Sequence, residues 1–147
     1  MATLHYPMSQ VRRISPHRII YRPYIGVKIT NPSSNKSWNC QALIDTGADR
    51  CIFHSWVADK LGHVLETGHG TSITDIREHE TPAWIHSNIL HFRDPEGIEV
   101  HYQTGVVFSP HVTREFGVLG TRGFLDPFKL NLDHSRHLIV LAEHRPR

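Results

Sequence analysis

Ala42-Leu43-Ile44-Asp45-Thr46-Gly47-Ala48-Asp49-Arg50-Cys51-Ile52-Phe53 is the stretch on which the fold turns. Three apolar residues run into a carboxylate, a Thr-Gly pair follows, and Ile52-Phe53 opens a second apolar run. Short apolar runs bounded by turn residues read as buried strands. Asp45 therefore stands at the end of one strand, on a tight turn that leads into another. Asp-Thr-Gly is too short to carry an assignment alone, so the rest of the chain must supply context.

Working outward toward the N-terminus, Ile25, Val27 and Ile29 alternate with Gly26 and Lys28, the period of a half-buried strand from Tyr24 to Thr30. Asn31-Pro32-Ser33-Ser34-Asn35 is a turn, and the return strand from about Trp38 to Ile44 delivers Asp45. Residues up to about Tyr21 mix Arg, His and Pro without a sustained period. They read as an N-terminal extension (residues 1–21) outside one domain over residues 22–147.

Toward the C-terminus, Ser55 to Gly62 has an N-cap, helical apolar spacing and a Gly stop, which predicts one or two helical turns. Thr71 to Thr74, the polar run Asp75 to Glu80 and the strand-like Pro82 to Phe92 form a projecting hairpin. Asp94-Pro95-Glu96-Gly97 is a turn, with another strand from Ile98 to Phe108. Val118-Leu119-Gly120 precedes a helical turn at Phe124-Leu125-Asp126. The alternation of Phe128, Leu130 and Leu132, with His137 to Leu141, closes a last hairpin. The sum is an all-β single lobe with two short helices.

The Asp45-Thr46-Gly47-Ala48 motif at a strand end, together with Val118-Leu119-Gly120 leading into Gly123-Phe124-Leu125-Asp126, resembles the retropepsin-like family of aspartic proteases. The likeness spans about Tyr24 to Leu141, with a hairpin where the family has its flap. It implies an acid-protease fold active as a symmetric homodimer, an aspartic endopeptidase acting on polypeptides with neither metal nor organic cofactor. Asp45 would be the catalytic carboxyl. Thr46, Gly47 and Gly120 would support the active loops, and Ala48, Asp49 and Ile76 would meet the substrate. Hydrolysis of this kind needs one group to take a proton from water while another gives one to the carbonyl oxygen. Two carboxyls about 3 Å apart share a proton and do both. None of Asp59, Asp75, Asp94, Asp126 or Asp133 precedes Thr-Gly or Ser-Gly, so the second carboxyl must come from another copy of Asp45. The chain departs from the retroviral members three times: Gly68 and Gly70 lie before the flap tip (Thr74 to Ile76), Thr121 separates Gly120 from Arg122, which leaves the family's Arg–acid ion pair unassigned, and the long N-terminal arm implies another interface in place of the terminal strands that join retroviral subunits.

Composition bounds the alternatives. In 147 residues, Lys and Arg number 16 and Asp and Glu 14, a formal charge of +2, so no nucleic-acid partner is expected. No run approaches the roughly 18 apolar residues of a membrane span, and Met1 to Pro7 lacks a signal-peptide pattern. Cys40 and Cys51 are too few for a disulfide framework, which fits a cytoplasmic protein. Thirteen histidines, among them His86 with His91 and His134 with His137, invite a metal, but there is neither His-Glu-x-x-His nor Cys-x-x-Cys. Other readings stand beside the protease: a catalytically silent dimeric peptide-binding module on the same fold, an assembly subunit, and Asp45 as no more than a turn residue. Cys51 reads as a buried, inert thiol, and Trp38, Trp56 and Trp84 as packing.

Overall fold

The computed structural model describes residues 1–12 and 19–144. Their strands are β1 (Thr3–Pro7), β2 (Ser9–Arg12), β3 (Ile19–Arg22), β4 (Tyr24–Thr30), β5 (Ser37–Ile44), β6 (Ile52–His54), β7 (His69–Thr74), β8 (Glu80–Arg93), β9 (Glu99–Ser109), β10 (Gly117–Leu119), β11 (Phe128–Asp133) and β12 (Leu138–Glu143). Helix α1 (Ser55–Lys60) follows β6, and one 3-10 turn spans Leu65–Thr67.

Period-two alternation builds the main sheet, ordered β4-β5-β10-β6-β9-β8-β7. A further pairing of β4 with β8, Lys28 opposite His91, closes six of these strands on themselves and leaves β7 as the projecting edge. Closure gives β4 a pairing partner on each side. Ile25, Val27, Ile29, Leu90, Phe92, Phe53, Phe108 and Leu119 fill the interior, all 3% exposed or less. Each such side chain contributes about 1.5–3 kcal/mol by leaving water. Trp38 and Trp56 pack edge to face at 5.4 Å, as packing residues should.

The N-terminal residues correct one expectation. Thr3 to Pro7 is not an arm outside the core: β1 pairs with β12, and Leu4, Tyr6 and Met8 are buried. Their alternation with Thr3, His5 and Pro7 is the period-two signal, masked in sequence by the Arg- and Pro-rich run after it. With β11 the two strands form a second sheet, ordered β1-β12-β11. Asp94 ties it to the first: its carboxylate, 3% exposed, accepts from His5 N at 3.0 Å, Glu96 N at 3.0 Å and Ile98 N at 2.9 Å. Burial pushes the Asp94 carboxyl up, but these backbone donors outweigh it and hold the group below its ordinary range. The part of the expected extension at residues 13–18 lies outside the described residues.

Two helix expectations change in detail. The cap of α1 is His54, whose Nδ1 accepts from Trp56 N at 3.1 Å, and the helix closes at Gly62 (φ 75°) with His63 N bonded to Ala58 O and Gly62 N to Asp59 O. The expected helical turn at Phe124-Leu125-Asp126 is instead a series of turns, with Leu125 N and Asp126 N both bonded to Thr121 O at 3.1 Å. Gly123 at φ 89° leaves helical dihedrals, and Pro127 steers Asp126 away from them.

Candidate active site

β10 is inserted between the two strands that flank the Asp45 loop. It runs parallel to β5, with Leu119 opposite Ile44, and pairs with β6 through Val118 and Ile52. The loop from Asp45 to Cys51 therefore wraps the C-terminal end of β10. Asp45 N donates to Leu119 O at 3.0 Å, which fixes the backbone of the carboxylate residue directly on that end.

The turn itself is closed by Asp45. Its Oδ1 accepts from Gly47 N at 2.9 Å and its carbonyl accepts from Ala48 N at 3.2 Å. A Cβ on Gly47 would lie 3.2 Å from that Oδ1, so glycine keeps the carboxylate's near side open. Thr46 and Gly47 are exposed, while Asp45 is partly covered.

Gly120 lies under this loop. A Cβ there would meet Arg50 O at 2.4 Å and Ala48 O at 2.5 Å, a close backbone approach that only glycine permits. Beyond it the chain grips the loop by its carbonyls: Thr121 N donates to Ala48 O and Arg122 N to Asp49 O, each at 2.9 Å. The ion pairs among the described residues are His79–Asp75, Arg93–Glu99 and Arg136–Asp133. Backbone bonds rather than an Arg122–Asp49 ion pair thus join the two signature segments.

The hairpin of β7 and β8 overhangs the loop. Its tip is held by Asp75, whose Oδ1 accepts from Arg77 N at 2.8 Å and His79 N at 3.0 Å, and Glu78 turns the chain at φ 62°. Ile76 at the tip is fully exposed. Between tip and loop lies a cleft of about 540 Å³ lined by Asp45, Ala48, Asp49, Ile73 and Ile76 among others. The cleft thus brings together Asp45, Gly47, Ala48, Asp49 and Ile76, with Gly120 behind the loop; Thr46 is on the turn. Arg50, Ile52, Thr71, Ile73 and Val107 also line it and were missed. The alternation of Thr71 and Ile73 along β7 was the available signal; Val107 is placed by Val107 N donating to Cys51 O across β6 and β9.

Cys51 is fully buried, with Sγ 3.6 Å from Arg122 O, and burial chiefly pushes its thiol up to about 12. It is a packed, inert side chain. Burial likewise pushes Cys40 up to about 12. Among the described residues no three His, Cys, Asp or Glu side chains gather as metal ligands would. No described helix is long and apolar enough to cross a membrane.

A closed sheet whose inserted strand cradles an Asp-Thr-Gly turn beneath a hairpin is the retropepsin-like fold. Among solved structures, the chain is similar to a retropepsin-like aspartic protease from Rickettsia conorii, with a TM-score of 0.54 and 15% identity over 95% of this chain and 89% of that one. EIAV protease in complex with the inhibitor HBY-793 aligns at a TM-score of 0.44 and 17% identity over 74% of this chain and 88% of that one. No protein-family model matches the chain. No curated protein matches it either.

Proposed function

We propose that the chain is one subunit of a homodimeric aspartic endopeptidase, in which Asp45 of each copy supplies one of two catalytic carboxyls. The observation that carries this reading is the placement of Asp45: its backbone is fixed on Leu119 O, its carboxylate is braced by Gly47 N, and it borders a cleft under a hairpin. A single chain holds one such carboxyl, and the proposed shared-proton mechanism uses one as base and a second as acid.

At the shared site the two carboxyls hold one proton between them. The ionised one takes a proton from the attacking water as the other gives its proton to the peptide oxygen. Thr46 braces the paired loops, Gly47 and Gly120 permit close backbone approach, and Ala48 and Asp49 bond the substrate main chain. Ile76 contacts substrate side chains from above, and an extended peptide pairs with the hairpin as an added strand. Two unpaired thiols, Cys40 and Cys51, fit work in a reducing compartment such as the cytoplasm.

The test is cleavage of an unfolded protein by wild type and Asp45→Asn, with sedimentation of both. Wild type cleaves as a dimer, fastest on the acidic side of neutral because the pair must keep its proton; Asp45→Asn stays dimeric and loses all measurable turnover. A wild-type dimer that binds peptides and never cuts them establishes the silent binding module instead.

A further inference from the structure

We infer that Tyr102 is a positioning residue for the Asp45 loop, a hydroxyl clasp acting where retroviral members use an Arg–acid ion pair. Tyr102 stands on β9, outside both signature segments, and its hydroxyl donates to Gly123 O at 2.6 Å, the shortest side-chain bond to a backbone carbonyl among the described residues. Gly123 is buried at φ 89°, a conformation that favours glycine. Its N–H donates to Asp126 Oδ1 at 2.9 Å, and a Cβ on it would meet Thr104 Oγ1 at 2.9 Å. Gly123 is therefore held at its N–H and at its carbonyl, with Thr104 leaving no room for a side chain.

What Gly123 anchors is the grip on the catalytic loop. The two residues before it, Thr121 and Arg122, donate their N–H groups to Ala48 O and Asp49 O, and Arg50 bridges to Arg122. If Gly123 swings away, these two donors swing with it, and the loop keeps the Asp45–Leu119 bond at its first residue and the Val107–Cys51 bond at its last, with its middle released. The three described ion pairs include neither Arg50 nor Arg122, so no charge pair duplicates the grip. The clasp is built to stay closed. The Tyr102 ring is stacked on Phe92 at 6.0 Å and lies edge-on to Phe128 at 6.1 Å. Burial first, then Cys51 and Asp126, raises its pKa, so the hydroxyl remains a donor through the working range of a protease.

The inference rests on the protease reading only for its effect on turnover, so its test has two arms. Tyr102→Phe keeps the ring and removes the donor; Thr30→Val, which removes the Thr30–Ser37 hydroxyl bond of 2.7 Å at the far end of β4, is the control. In the full-length chain, Tyr102→Phe speeds amide hydrogen exchange at Thr121 and Arg122 by about tenfold, the factor set by the net contribution of one hydrogen bond, and Thr30→Val leaves both amides unchanged. In the cleavage assay Tyr102→Phe lowers kcat by about tenfold with KM within about twofold of wild type, as loss of an alignment rather than of binding requires. Unchanged exchange at Thr121 and Arg122 overturns the clasp, and so does a raised KM at unaltered kcat. Exchange needs no turnover, so failure of the clasp and failure of the protease reading are told apart.

Discussion

Gly120 is the residue whose substitution tests the site most sharply without touching its chemistry. The two atoms its missing Cβ would strike, Arg50 O at 2.4 Å and Ala48 O at 2.5 Å, are backbone carbonyls of the Asp45 loop, one of which already accepts from Thr121 N. Neither can rotate aside, so the loop as a whole must shift. Gly120→Ala is expected to cost about 2–3 kcal/mol in urea unfolding, within the range for overpacking. Gly26→Ala is the comparison: nothing lies within 4 Å of the added methyl, and stability rises by up to about 1 kcal/mol. Equal effects at the two sites would contradict the packing described for Gly120. Asp45 and Gly120 were legible in sequence because their chemistry, a carboxyl and a missing side chain, is a property of residue type. Tyr102 was not, because its partner is a backbone carbonyl, and no side chain at Gly123 announces where that carbonyl will point.

The β7–β8 hairpin has a chemical lock at its root. His63, just past α1, places Nε2 2.8 Å from Asn88 Oδ1 on β8 and Nδ1 3.3 Å from Asn31 Nδ2 in the β4–β5 turn. Asn31 Nδ2 also donates to Leu61 O, and Asn88 Nδ2 donates to His86 O, so His63 is neutral, donating through Nε2 and accepting at Nδ1. His86 lies beside it, its ring tilted by 33° at a centroid distance of 4.3 Å, and contacts Leu65 O at 2.9 Å. Burial lowers the pKa of His63; the Asn88 bond opposes that shift and His86 adds to it. A depressed folded pKa stabilises the protein fully above the ordinary histidine value of about 6.5 and ceases to do so as pH falls through the folded value. His63→Gln should accordingly melt below wild type near pH 8, and the two melting curves should converge toward pH 5. Parallel curves across that range would refute the lock. The hairpins themselves were readable because strand period and turn residues are local. The turns at Phe124 to Asp126 were misread as helix because apolar spacing spoke louder than Gly123 and Pro127.

Closure of the main sheet by β4 with β8, and its attachment to the β1-β12-β11 sheet through Asp94, make the two sheets one structure. That long-range pairing explains why β1 was invisible in sequence: its five residues alternate correctly, but only contact with β12, more than a hundred residues away, distinguishes a core strand from an exposed tail. On the proposed protease reading, one chain carries half of the catalytic pair. Each chain presents one Asp45 at one cleft, and a pair that shares a proton can form only where two chains meet. The consequence is a dominant effect of the inactive subunit. When wild type and Asp45→Asn are unfolded together in equal amounts and refolded, each wild-type chain has an even chance of an inactive partner. Cleavage per wild-type chain should fall to about half, because a mixed dimer has one carboxyl able to ionise and cannot pass the proton both ways. If each subunit instead works alone, adding the variant leaves the rate per wild-type chain unchanged. The comparison requires matched total protein, since dilution by itself would shift a weak dimer toward monomer and mimic the loss.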